Sequence, residues 1–139
     1  MDKKNLITEK TFTLAVQNQQ KNNLQVAENL YKETLKTNPN HVDAHNNLGI
    51  IFKELGEFQK AVDCYQKVIQ IQPDRVEDAH VGLGLVFKEL EEYQQAISCY
   101  EDAAKCNSEN LISIYLLSGL KKEVLDLNLK KKIISIISK

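Results

Sequence analysis

Apolar positions along this chain fall three and four residues apart, the spacing of helices that bury one face. Their order also returns at a fixed interval. HVDAHNNLGIIFKELGEFQKAVDCYQKVIQIQPD (41–74) is answered by EDAHVGLGLVFKELEEYQQAISCYEDAAKCNSEN (77–110). Leu48-Gly49 matches Leu83-Gly84, and Ala61 and Tyr65 match Ala96 and Tyr100, each at a spacing of 35. One extra residue near Val76 explains 35 where the basic period is 34. Stepping back by 34, Leu14-Ala15, Ala27, Tyr31 and Pro39 stand where Leu48-Gly49, Ala61, Tyr65 and Pro73 stand later. The units are therefore 8–41, 42–75 and 77–110.

Each unit predicts two helices, A and B, with pairs spanning 8–37, 42–71 and 77–106. In the second unit, helix A runs over about 43–55 and helix B over about 58–71. Gly56 falls between them, where a helix end favours a residue tolerant of positive φ. Pro73 follows helix B, which it cannot continue. Asp43 and Asp78 sit at the A-helix starts, suited to capping and to the helix dipole. Ala15, Gly49 and Gly84 on the A helices, with Ala27, Ala61 and Ala96 on the B helices, allow close approach. Leu14, Leu48, Leu83, Tyr31, Tyr65 and Tyr100 fill the space that remains. Leu24, Phe58 and Tyr93 open the B helices and plug the joints between units. No helix pair buries such a surface alone, so the units must stack. With only five glycines and two prolines, the chain is short of tight turns, which argues against a β-sandwich and for an all-α solenoid.

The pattern L-[GA], then [LFY]-x-x-A-x-x-x-Y, then P, at a 34-residue period, resembles the tetratricopeptide repeat (TPR). Three units in register cover about three quarters of the chain. Departures are Thr11, His45 and His80 where a large aromatic often opens helix A, Asn18 where Phe52 and Phe87 stand later, and Ser108 for the third closing proline. The resemblance implies a right-handed superhelix whose A helices line a concave groove for a peptide or partner protein. The groove register implies Glu9, Phe12, Thr13, Val16, Gln19 and Gln20, then Asp43, Asn46, Asn47, Ile50, Lys53 and Glu54, then Asp78, Val81, Gly82, Leu85, Lys88 and Glu89. The candidate binding residues among them are Phe12, Val16, Asn46, Asn47, Ile50, Lys53, Val81, Leu85 and Lys88. Phe12, Val16, Ile50, Val81 and Leu85 form an apolar strip, either a ligand strip or a surface partly covered by neighbouring A helices. Some TPR proteins grip a C-terminal carboxylate with a basic clamp. Its positions match Phe12, Val16, Asn47, Asp78 and Gly82 here, of which Asn47 alone fits. A backbone-clasping asparagine ladder, known from O-linked sugar transferases, keeps one rung at Asn47, with Thr13 and Gly82 at the others. Gly82 reads as a mild helix defect of about 1 kcal/mol rather than as room for a ligand backbone.

Catalytic and metal chemistry find little support. His41 and His45 are four apart, but His41 falls before the helix and no HExxH glutamate accompanies them. His45 and His80 read as half-buried substitutes for the missing aromatic. Cys64 and Cys99 are repeat-equivalent packing residues, and Glu91-Glu92 lie at a turn. No constellation meets the geometric needs of catalysis, so neither enzymatic activity nor a cofactor or metal is expected.

Charge adds one asymmetry. The net charge is −1, with no global field to attract nucleic acid or anionic lipid. Residues 1–110 carry 12 Lys/Arg against 17 Asp/Glu, a net −5, whereas residues 111–139 carry six lysines against Glu123 and Asp126, a net +4. The cluster Lys130-Lys131-Lys132 reads as a solvated helix face. No membrane span and no export signal are apparent, and three unpaired cysteines suit the cytoplasm.

Residues 111–139 begin like a fourth repeat, with Leu117-Ser118 where Leu83-Gly84 stands one period earlier, and then fade, with Lys130 in place of the alanine. Two capping helices are expected, about 109–123 and 127–138, Asp126 capping the second; a break at Gly119 is the alternative. Leu127, Leu129, Ile133, Ile134, Ile136 and Ile137 give the last helix a wide apolar arc, unlike the polar outer face of a finished repeat array. Self-association through this edge is expected; the alternative is that the last helix folds back on the third unit, hides most of its isoleucines and leaves a monomer. DAHNNLG together with LKKEVLDLNLKKKI is also similar to the arms of bacterial TPR-linked sulfotransferases and glycosyltransferases. The alternative function is thus a non-catalytic N-terminal arm of such an enzyme.

Overall fold

The computed structural model describes residues 2–74, 76–109 and 111–139. Arg75 and Asn110, the last residues of the second and third units, lie outside the described residues. Among the described residues there are seven helices and no strand: α1 (Lys3–Gln20), α2 (Leu24–Thr37), α3 (Val42–Glu54), α4 (Phe58–Ile71), α5 (Glu77–Glu89), α6 (Tyr93–Cys106) and α7 (Leu111–Ile137). α1, α3 and α5 each pack on the even helix that follows, and α3, α5 and α7 on the even helix that precedes.

Local chemistry sets the helix ends. The Asp2 side chain accepts from the Asn5 N–H at 2.8 Å, so α1 starts five residues earlier than the repeat register suggests. His41 caps α3, its Nδ1 accepting from the Ala44 N–H at 3.2 Å. Asp43 and Asp78 are not the caps; they lie in the first turns of α3 and α5, where a carboxylate still meets the positive end of the helix dipole. Between A and B helices the chain turns through one left-handed residue at the same repeat position, Asn22 (φ 61°), Gly56 (φ 73°) and Glu91 (φ 58°).

The alanines and large residues do meet in one core running from α1 to α5, with Ala15, Ala27, Ala61, Tyr31, Tyr65, Leu48 and Leu83 all buried. Leu14 is the exception, 48% exposed where Leu48 is 3% and Leu83 is 4% exposed. Its counterparts lie on α3 and α5, which pack on a preceding B helix, and among the described residues no helix precedes α1.

The C-terminal segment departs furthest from expectation. It is one continuous helix of 27 residues, about 40 Å long at ~1.5 Å per residue, rather than two. The stretch VLDLN at 124–128 contains no glycine or proline to break it, Asp126 lies mid-helix, and the helix passes through Gly119 unbroken. Leu120 is buried with Ala96 and Tyr100, and Leu116, Leu117 and Val124 pack around them. From Leu129 onward every residue of α7 is exposed.

Candidate functional site

The B-helix tyrosines organise the A-helix face. Tyr65 on α4 is wedged between α3 and α5. A Cβ on Gly49 would lie 2.8 Å from its ring, and a Cβ on Gly82 would lie 2.5 Å from its Cζ. Gly84 is held against Tyr100 in the same way. Gly82 is therefore neither a mild defect nor an opening for a ligand. It is buried, because only a bare Cα lets the Tyr65 ring reach the next A helix.

Asn47 holds the position of Gly82 one unit earlier and uses it differently. Its Nδ2 donates to the Tyr31 hydroxyl at 3.0 Å, and that hydroxyl donates to Gln19 Oε1 at 2.5 Å. Burial raises the Tyr31 pKa, with the Asn47 hydrogen bond opposing it. Asn47 is thus half committed before any ligand arrives. Repeat register alone does not reveal this network; the signal for it is the pairing of each tyrosine with two A-helix positions, 15 and 47 for Tyr31, 49 and 82 for Tyr65.

Phe12, Val16, Asn46, Asn47, Ile50, Lys53, Val81, Leu85 and Lys88 are all half-buried. Asn46, Asn47, Ile50 and Lys53 are on α3, and Val81, Leu85 and Lys88 are on the adjacent α5. Phe12 stacks on His41 (ring centroids 4.5 Å apart) and lies 5.8 Å from Tyr31. Val16 and Ile50 pack on the main core, and Leu85 on the C-terminal cluster. The apolar strip is thus a partly covered ledge, not a row of free side chains. Lys88 is drawn toward α7, its Nζ 3.4 Å from Glu123. Around the ledge, Glu9, Asp43, Glu54, Asp78 and Glu89 are exposed. Five carboxylates against Lys53 and Lys88 give this face a net −3.

The remaining candidates serve the scaffold. His45 Nε2 lies 2.8 Å from the Pro39 carbonyl oxygen, and His41 Nε2 is 3.7 Å from Glu9. Burial lowers the His80 pKa, Asp102 pulling the other way. Cys64 and Cys99 are pushed up to about 12 and about 11, chiefly by burial, the reverse of what a thiolate nucleophile requires. Among the described residues no group of three His, Cys, Asp or Glu side chains is placed to hold a metal ion, and no helix is long and apolar enough to cross a membrane.

Stacked helix pairs with small residues under each tyrosine define a helical-repeat solenoid. The tetratricopeptide repeat family is matched by residues 42–75 and again by residues 77–110, and this chain belongs to that family. An uncharacterised protein of Pyropia yezoensis, ycf37, is 42% identical over 45 residues, which make up 32% of this chain and 25% of that protein. This chain therefore matches about a quarter of the length of that relative. Among solved structures, the first TPR of Spaghetti (RPAP3), bound to the HSP90 peptide SRMEEVD, superposes with a TM-score of 0.79 at 13% identity, covering 85% of this chain and 93% of that one. The Sgt2 TPR domain of Aspergillus fumigatus gives 0.79 at 18% identity, covering 87% and 81%. The Arabidopsis OM64 TPR domain gives 0.78 at 22% identity, covering 84% and 95%. At these identities the likeness is one of fold.

Proposed function

We propose that the chain is a non-catalytic binding module whose TPR unit, residues 8–110, holds a peptide or a segment of a partner protein in the groove of its A helices. The observation that carries this is the ledge of Val16, Ile50, Val81 and Leu85, half-buried side chains flanked by the amides of Asn46 and Asn47. Such a surface offers apolar contact with a polar rim, the anatomy of a recognition patch. The Spaghetti TPR holds an acidic peptide. Here the positions of a basic clamp are Phe12, Val16, Asn47, Asp78 and Gly82, and none carries a cation. With a net −3 around the ledge, the fitting ligand has apolar side chains and neutral or basic flanks. Unpaired Cys64, Cys99 and Cys106 suit a reducing compartment such as the cytoplasm.

The test is a peptide selected on the chain from a random library and titrated by calorimetry. Ile50→Asp and Asn47→Ala should weaken its binding by ~1–2 kcal/mol or more, and Lys60→Ala, on α4, should not. Equal effects at all three positions would remove the groove as the site. A second property, self-association, is favoured by the exposed apolar residues of α7, among them Leu125, Leu129, Ile133 and Ile136.

A further inference from the structure

We propose that α7 pairs with α7 of a second copy, antiparallel, about a two-fold axis at Val124. This rests on the self-association reading and gives it a geometry. The packed face of α7 runs through Leu116, Leu120 and Val124 against α6. At 3.6 residues per turn, the opposite face carries Tyr115, Lys122, Leu125, Leu129, Ile133 and Ile136, all exposed. Their spacing, seven residues and then threes and fours, is that of a helix–helix seam. Because this face points away from α6, a second helix there does not collide with its own solenoid.

The choice of a second copy comes from a symmetry in the helix itself. Its two ends are LISIY at 111–115 and, read backwards from 137 to 133, IISII. A two-fold axis at residue 124 sets residue n opposite residue 248 − n. Leu111 then faces Ile137, and Tyr115 faces Ile133. Under the same axis Lys122 faces Asp126 (122 + 126 = 248), so each contact occurs twice with opposite charges. A parallel pair would set Lys122 beside Lys122. The neighbouring charges are used within the copy, Lys121 with Glu101 at 3.0 Å and Glu123 with Lys88 at 3.4 Å. Among the described residues, Lys122 and Asp126 form no ion pair within their own copy. Apolar ends and a central charge pair that share one axis are the self-complementarity a two-fold interface requires.

The test uses the intact chain. Light scattering coupled to gel filtration should give a dimer mass that falls toward the monomer on dilution. Lys122→Glu should weaken the dimer roughly tenfold or more, since one substitution creates two like-charge contacts; adding Asp126→Lys should restore it. In a Cys106→Ser background, a Tyr115→Cys chain mixed with an Ile133→Cys chain should form a disulfide-linked dimer on oxidation, and neither should do so alone. Circular dichroism confirms that each variant keeps its helix. A monomer at every concentration overturns self-association and the pairing together. A dimer that traps through Tyr115→Cys alone, or ignores the charge swap, leaves self-association standing and overturns the antiparallel α7 pair. An intrachain disulfide in a monomeric Tyr115→Cys/Ile133→Cys double variant also overturns the pair, in favour of α7 folding back on itself.

Discussion

Replacing Gly82 with alanine separates two physical accounts of one residue. In an open helix interior, alanine is better than glycine by about 1 kcal/mol, so a glycine that was a mild defect would be improved. The structure gives the opposite sign. The added Cβ would lie 2.5 Å from Tyr65 Cζ, 2.6 Å from Cε1 and 2.9 Å from Cε2. Tyr65 is 1% exposed and already meets Gly49 on its other flank, so the ring has little room to retreat. Overpacking of a filled core costs about 1–3 kcal/mol. After the gain in helix propensity of about 1 kcal/mol, Gly82→Ala should destabilise the chain by up to about 2 kcal/mol. Gly119→Ala is the internal control, because a Cβ there meets nothing within 4 Å and should be neutral or stabilising. Urea unfolding followed by circular dichroism measures both, with an unchanged slope showing that stability alone has moved. A Gly82→Ala chain more stable than the parent would refute the wedge. A penalty that persists in a Tyr65→Leu background would show that another neighbour sets it.

Glu91 holds a left-handed conformation (φ 58°) at the position where Gly56 stands in the second unit. That conformation costs an L residue about 1–2 kcal/mol, so Glu91→Gly should raise stability by about 0.5–1 kcal/mol in the same urea assay. The three thiols should differ under iodoacetamide at pH 8. Exposed Cys106 should react at once, whereas Cys64 and Cys99, raised to about 12 and about 11, should wait for unfolding, as mass spectrometry of the labelled chain can report.

The repeat was legible because its small and large residues recur on faces that a single helix period defines. Ala27 and Ala61 had to face the A helices, and they are fully buried. What one helix period cannot show is contact with a third helix. Gly82 looks solvent-facing when only α5 and α6 are considered, and the stacking of α4 against α5 is what buries it under Tyr65. Leu14 failed for the related reason that identical register does not mean identical neighbours. The break expected near Asp126 relied on a capping residue alone, and without glycine or proline nearby nothing opposed a continuous α7. Of the candidate groove, repeat register supplies a set of nine positions, and all nine are half-buried. The prior engagement of Asn47 with Tyr31 and of Lys88 with Glu123 was not, since both partners lie on other helices. The likeness to transferase arms rests on DAHNNLG together with LKKEVLDLNLKKKI, and the family and structural matches do not show that link.

The three repeat tyrosines share one backbone position and one burial, 1% exposed or less, yet their hydroxyls have different surroundings. Tyr31 donates to Gln19 and accepts from Asn47. At the far end, Tyr100 keeps a buried hydroxyl with no hydrogen-bond partner. The cause is positional. Gln19 and Asn47 are replaced in the third unit by Lys88, which turns to Glu123, and by the leucine-rich start of α7. A net hydrogen bond contributes about 0.5–1.5 kcal/mol, whereas an unsatisfied buried polar group costs about 1–3 kcal/mol. Tyr31→Phe should therefore destabilise the chain by about 1 kcal/mol, and Tyr100→Phe, which removes the orphan and leaves the ring, should be neutral or stabilising. If the two substitutions cost the same in urea unfolding, the hydroxyls do not differ in the way the geometry requires, and the junction between α6 and α7 holds Tyr100 by a contact that the present arrangement lacks.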